Sequence, residues 1–225
     1  MLKTVRHIFL ILFLSQLVYI IVLKWIDPPF TLTQLGSLFS GDGLKRDYVS
    51  FSEMSSEAGL AVMAAEDQLL PDHHGFDFKN IERALAHNEK KPKKIRGAST
   101  ISQQVAKNVF LWQDRSWLRK GLEVYFTFMI ELIWGKQRIL EMYLNVIEMG
   151  KGIYGIEAAS QAYFDKPASK LNRSQAAMVA ACLSNPKKYT VKPVSRYVSI
   201  RSKWVIRQMG YLEGDEEIKG LLGKR

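Results

Sequence analysis

Two short constellations of acidic and basic residues carry chemical potential in this chain. Glu66 and Asp67 stand side by side ahead of His73, His74 and Gly75, and Glu123 closes the run RKGLE behind Arg119 and Lys120. Adjacent carboxylates where a helix is ending face an unfavourable dipole, so something other than helix stability places Glu66 and Asp67 there. Zinc does not suit the pattern: there is no HExxH, no cysteine cluster completes a ligand set, and His73 and His74 read as loop residues. At i−4 and i−3, Arg119 and Lys120 reach the same helical face as Glu123. As a surface ion-pair cluster they would be worth only about 0.3 kcal/mol. Base-before-acid is also the weaker order for that purpose, and the surroundings are apolar, which fits a phosphate or metal site better. Two carboxylates from separate helices with several Lys and Arg suit displacement at a sugar carbon. One takes the proton of an attacking hydroxyl, and the cations or a metal ion stabilise a departing phosphate.

Between them lies Arg96 to Leu111, RGASTISQQVAKNVFL. A helix built only for packing would favour Ala, Leu, Glu and Lys over this mixture of hydroxyls and amides. Ile101, Val105 and Val109, at i, i+4 and i+8, form one narrow apolar stripe. The remaining side chains are free for an oxygen-rich ligand, or form a polar surface helix with Ser99 or Thr100 as its N-cap.

The elements that must position these groups are mostly helical. Of 225 residues, 47% are hydrophobic, and the net charge of +10 predicts an anionic partner. The lysine run Asn88 to Lys94 has no interleaved aromatics and reads as a solvated loop, not a nucleic-acid patch. The lone Cys182 reads as small apolar filler. Ile8 to Leu23 is an apolar run flanked by Lys3, Arg6 and Lys24. It spans about 24 Å as a helix, which Trp25 and Ile26 extend, and no small-residue cleavage site follows. It reads as an uncleaved anchor with its N-terminus in the cytoplasm. Thr31 to Ser50 is linker-like. Helices are expected from about Ser52 as N-cap to Asp67 and over Asn80–Asn88, Trp117–Trp134, Lys136–Met149, Ile156–Phe164, Arg173–Leu183 and Ser195–Tyr211, with Asn172 starting the Arg173 helix. The Trp117 helix is apolar on most sides but too short to span a bilayer. It is either buried or dips into a membrane surface.

Five motifs now stand in order: Ala64–Asp77, Arg96–Asn108, Arg119–Glu123, Lys136–Asn145 and Lys166–Pro186. Together they resemble the monofunctional biosynthetic peptidoglycan transglycosylases, relatives of the glycosyltransferase module of bifunctional penicillin-binding proteins. The resemblance implies a mainly α fold: a lysozyme-like helical lobe, a small membrane-facing jaw and one N-terminal transmembrane helix. It divides the chain into a cytoplasmic N-terminus (1–7), a transmembrane anchor (8–26), a linker (27–47), the catalytic domain (48–211) and a tail (212–225). It implies that Glu66 is the general base on the 4-hydroxyl of lipid II, attacking the growing glycan chain with inversion and release of undecaprenyl pyrophosphate. Glu123 is the second carboxylate, acting at the pyrophosphate directly or through a divalent cation, Mg2+ or Mn2+. Lys107, Arg119, Lys120 and Arg115 match cations near the pyrophosphates. Ser99, Thr100, Gln103, Gln104 and Asn108 match the polar wall of the cleft, while Asp67 and His73 shape the site around the base. The implied location is the inner membrane with the catalytic domain periplasmic. The implied partners are other wall-synthesis and division proteins, and not nucleic acid.

Two residues depart from the family pattern: Leu70 stands where phenylalanine is usual, and Gln175 where glutamate is usual. Two rival readings remain. A lysozyme or lytic transglycosylase would cleave glycan with a protonated carboxylic acid and has no use for the lysine and arginine set. A catalytically vestigial membrane scaffold would rest on the two departures alone.

Overall fold

The structure, a computed structural model, describes residues 2–92, 95–114 and 116–223. In chain order it contains α1 (Leu2–Val22), α2 (Leu32–Phe39), β1 (Lys45–Arg46), α3 (Ser56–Glu66), α4 (Phe78–Lys90), α5 (Ile101–Phe110), α6 (Trp117–Ile133) and α7 (Lys136–Val146). Then follow β2 (Glu148–Gly150), β3 (Ile153–Tyr154), α8 (Ile156–Phe164), α9 (Arg173–Cys182), α10 (Arg196–Leu212) and α11 (Glu216–Leu221). The class is mainly α. One small sheet of order β1-β3-β2 pairs β1 parallel and β2 antiparallel with β3.

The central element is α3. Every residue from Ala58 to Ala64 is buried, so this helix is apolar all round and can only be an interior one. It packs against α9 and α10, while α5 packs against α6 and α7. Close approach needs Gly59, where an added Cβ would stand 2.6 Å from Leu222 Cδ2. Its N-cap is Ser55, not Ser52, which lies in a preceding short 3-10 turn.

Three stretches differ from the sequence expectation. Linker-like Thr31–Ser50 contains α2, started by a capping box in which Thr31 and Gln34 satisfy each other's backbone N–H groups. Gln34 then donates to the Tyr48 hydroxyl at 2.7 Å. Beyond Tyr211 the chain forms α11, capped by Asp215, and buries Ile218 and Leu222 in the core. The helix expected over Asn80–Asn88 begins earlier, with Asp77 as N-cap, and takes in the first residues of the lysine-rich stretch. Lys93 and Lys94 lie outside the described residues.

At 21 residues, α1 is about 31 Å long and apolar enough to cross a membrane. Its C-terminal end is joined to the globular part. Trp134 Nε1 donates to the Ile20 carbonyl at 2.7 Å, and Arg138 donates to Leu23 O at 2.9 Å. Farther back, Gln16 donates to the Tyr125 hydroxyl at 2.7 Å. The neighbouring α6 inverts the usual arrangement of a surface helix: it buries Glu123, Thr127 and Ile130 while exposing Leu118, Val124, Phe128 and Leu132. A contiguous exposed apolar stripe of this kind marks a surface made for something other than water.

Candidate active site

The site is assembled at the C-terminal end of α3 and along α5. Glu66 is the last residue of α3, and its Oε2 accepts from Gln104 Nε2 at 3.0 Å. Gln104 Oε1 in turn accepts from the buried Tyr143 hydroxyl at 3.2 Å, which fixes the amide orientation and leaves the other Glu66 oxygen for a ligand. Burial pushes the Glu66 carboxyl above the usual carboxylate value. The Gln104 hydrogen bond and the Arg201 charge oppose that shift, and the Asp67 charge adds to it.

Asp67 is a positioning group. Its buried carboxylate accepts from the Ile101 backbone N–H at 2.9 Å and faces His73 Nε2 at 3.0 Å. Ile101 opens α5, so the carboxylate that stands unfavourably at the end of α3 is stabilised by the positive end of α5. His73 Nδ1 accepts from the Gly75 N–H at 3.1 Å, which assigns the proton to Nε2, pointing at Asp67.

The polar stretch splits into two roles. Thr100 is the N-cap of α5 and forms a capping box with Gln103; its hydroxyl also donates to Gly75 O at 2.7 Å. Asn108 donates to Gln104 O at 2.8 Å and accepts from Thr33 Oγ1 at 3.4 Å, tying α2 to α5. Thr100, Gln103 and Asn108 are buried with hydrogen bonds to the scaffold, while exposed Ser99 lines the cleft together with Thr100 and Gln104. This cleft, of about 1440 Å³, is lined by Glu66, Asp67, Ser99 and Gln104 together with Tyr197, Arg201, Trp204 and Arg207 of α10. A smaller cavity of about 830 Å³ at the anchor end contains none of these groups.

One turn along α5 from Gln104 stands Lys107. Burial lowers its ammonium below the ordinary lysine value, with Glu123 pulling upward and Arg119 and Lys120 pulling downward. Glu123 is buried, with Oε2 2.5 Å from Arg119 Nη1 and Oε1 held by Lys120. Three cations therefore surround one carboxylate at the N-terminal end of α6. The helix dipole there is itself positive, so the cluster favours an added anion. Arg115 lies outside the described residues.

Sequence reasoning missed the Tyr143–Gln104 relay, the α10 wall and a buried brace. In that brace Ser102 donates to Glu131 at 2.5 Å, and Lys136 joins Glu131 at 2.8 Å and the His73 carbonyl. Each pairing crosses 29 residues or more apart from the local Glu131–Lys136 pair, so no local spacing announces it.

Residues 33–210 match the family model described as transglycosylase. The chain belongs to the transglycosylase family. Among its relatives are the biosynthetic peptidoglycan transglycosylases of Yersinia pseudotuberculosis serotype O:3 (strain YPIII) and Yersinia pestis (strain Pestoides F). Each is 52% identical over 202 residues, covering 87% of this chain and 84% of the relative. The match begins at residue 33, so the transglycosylase unit takes in nearly all of α2.

The two departures from the family pattern fall on structural positions. Gln175 completes a capping box with Asn172, a role glutamine fills as well as glutamate. Leu70 is fully buried in the turn after Glu66 and packs in the main core.

Proposed function

We propose that this protein is a peptidoglycan glycosyltransferase that extends glycan strands with lipid II. The observation that carries the reading is α5 itself: it presents Gln104 to the raised-pKa carboxylate of Glu66 and, one turn on, Lys107 to the Glu123 cluster. Glu66 takes the proton of the acceptor 4-hydroxyl as that oxygen bonds to the anomeric carbon of the growing chain. The bond from that carbon to the diphosphate oxygen breaks, and undecaprenyl pyrophosphate leaves with the electron pair. Attack opposite the leaving group inverts the anomeric configuration. A carboxylate whose pKa is raised toward the working pH is the better proton acceptor. Lys107, Arg119 and Lys120 meet the charge that develops on the diphosphate, and Glu123 holds the last two in place.

The donor set does not fit a protein-held divalent cation. Both oxygens of Glu123 are engaged by side-chain cations, and no group of three or more His, Cys, Asp or Glu gathers among the described residues. A Mg2+ or Mn2+ requirement is a proposal resting on the oxygen-rich diphosphate, which suits such ions. The cleaving alternative leaves the Lys107–Arg119–Lys120 cluster without a task, and the vestigial alternative has no support in a site whose base is oriented.

We further assign α1 as a membrane anchor with Lys3 and Arg6 on the cytoplasmic side, and the catalytic domain to the periplasmic face of the inner membrane. The exposed apolar stripe of α6, beside α1, supports a domain resting on the bilayer that holds its lipid-linked substrates. The test is polymerisation of purified lipid II in detergent or lipid, followed by chromatography of the product. Release of soluble fragments from preformed glycan would instead establish a cleaving enzyme.

A further inference from the structure

The face that α10 turns to the cleft takes no part in the diphosphate cluster and reaches the base only through the Arg201 charge acting on Glu66. Tyr197, Arg201 and Trp204 recur at i, i+4 and i+7, so they share one face of the helix. The Arg201 guanidinium lies 3.6 Å from the centre of the Trp204 ring. It makes no hydrogen bond or ion pair among the described residues, so its five N–H donors are unsatisfied by protein. Stacking holds the fork in place before any ligand arrives, and a pre-set fork matches a carboxylate or phosphate through two parallel bonds. Arg207 and Lys203 of α10 and Arg83 of α4 line the same cleft, and none has an ion pair among the described residues. This end of the cleft is a second anion receptor, separate from Lys107, Arg119 and Lys120.

The position of the receptor decides which anion it takes. The diphosphate is tied to a lipid and must stay near α1 and α6, where the apolar stripe and the first cluster lie. By contrast α10 packs against α3 and α9, and the cleft it lines with Glu66 contains none of Lys107, Arg119 and Lys120. A group arriving there must branch from the sugar chain. We propose that Arg201, with Trp204 beneath it, receives a carboxylate of the peptide branch carried by the glycan and so orients that sugar toward Glu66. This inference rests on the glycosyltransferase reading.

The experiment compares two lipid-linked substrates, one with free peptide carboxylates and one with them amidated. The wild type should use the free acid about tenfold better in kcat/KM, the worth of one charge-assisted hydrogen bond. In Arg201→Gln the ratio between the substrates should fall to within about twofold, and Arg201→Lys, charged but without the fork, should lie between. Equal loss on both substrates would mean that Arg201 serves the diphosphate, and overturns the proposal. So does a wild type that ignores amidation. A second arm reads the site without turnover: a soluble peptide-bearing disaccharide should shift the Trp204 indole N–H resonance, identified by its loss in Trp204→Phe, and its amidated form should not. If the wild type polymerises neither substrate, the glycosyltransferase reading fails, and this arm still decides whether the carboxylate binds. No shift with the free acid would overturn the site.

Discussion

Glu123→Gln tests whether the carboxylate beside the Lys107 cluster is there to hold cations. The Glu123 side chain is 4% exposed and Arg119 11%, whereas Lys120 is 41% exposed. Removing one partner of a buried ion pair costs about 3–5 kcal/mol, because the other charge is left uncompensated. Lys120 can turn into water, so its share is near the surface value of about 0–1 kcal/mol. Arg119 cannot: its Nε lacks a hydrogen-bond partner, and its other carboxylate, the half-exposed Asp114, stands 3.8 Å away and compensates it only weakly. The glutamine carbonyl recovers one of its N–H bonds, worth about 1 kcal/mol. A loss of about 2–3 kcal/mol remains, a fall in Tm of about 5–10 °C for a domain of this size. Thermal melts in detergent, followed by circular dichroism, read it directly. Arg119→Met in the Glu123→Gln background should restore much of the loss, with a coupling of about 2 kcal/mol. A Tm shift below about 1 °C, or strictly additive effects, would refute the reasoning and make the cluster solvent-screened decoration.

Other outcomes follow from the same geometry. Because the folded Glu66 carboxyl titrates above its unfolded value of 4.5, its contribution to stability is fully present below that value and is lost as pH rises through the folded pKa. Glu66→Gln should therefore melt higher than the wild type at neutral pH and converge with it in acid; a constant difference across pH would contradict the burial argument. Thr100→Ala should lower stability by about 1–2 kcal/mol in urea titration, since it removes both the α5 N-cap and the bond to Gly75. Gln175→Glu should leave Tm and turnover within experimental error, because either residue closes the same capping box. Lys107→Met should lower kcat about 10²–10³-fold, as removal of one donor to developing charge does, with little change in Tm.

Much of this fold was legible because its signals are local. The cap at Asn172, the break after Asn185 and the glycines around Tyr154 sit beside the elements they delimit. Gly155, at φ +87° and 2.5 Å from Asn145 O at its added Cβ, is a position no other residue fills without strain. The capping box opening α2 was equally local, but three glycines nearby made the stretch read as a linker. For α11 the deciding fact is tertiary: Leu222 packs on Gly59 of α3 and Ile218 is buried in the core, which six helical residues alone do not predict. In the site, residue types marked Glu66 and Glu123, while the division of the Arg96–Asn108 wall depends on which side chains turn inward. Thr100, Gln103 and Asn108 look like ligand-binding groups in sequence, yet they spend their hydrogen bonds on the scaffold. Arg201 was invisible for the converse reason: nothing in the sequence packs α10 against α3 and so brings Arg201 to the cleft.

The central claim is that Glu66 is the proton acceptor for glycan extension, and the lipid II assay on Glu66→Gln tests it most directly. Gln keeps the shape and the bond to Gln104 but cannot take a proton. The account predicts that wild-type protein makes polymer and that the variant, folded and at least as stable, is slower by about 10²–10⁴-fold. A folded Glu66→Gln variant that polymerises lipid II within a fewfold of wild type would contradict it.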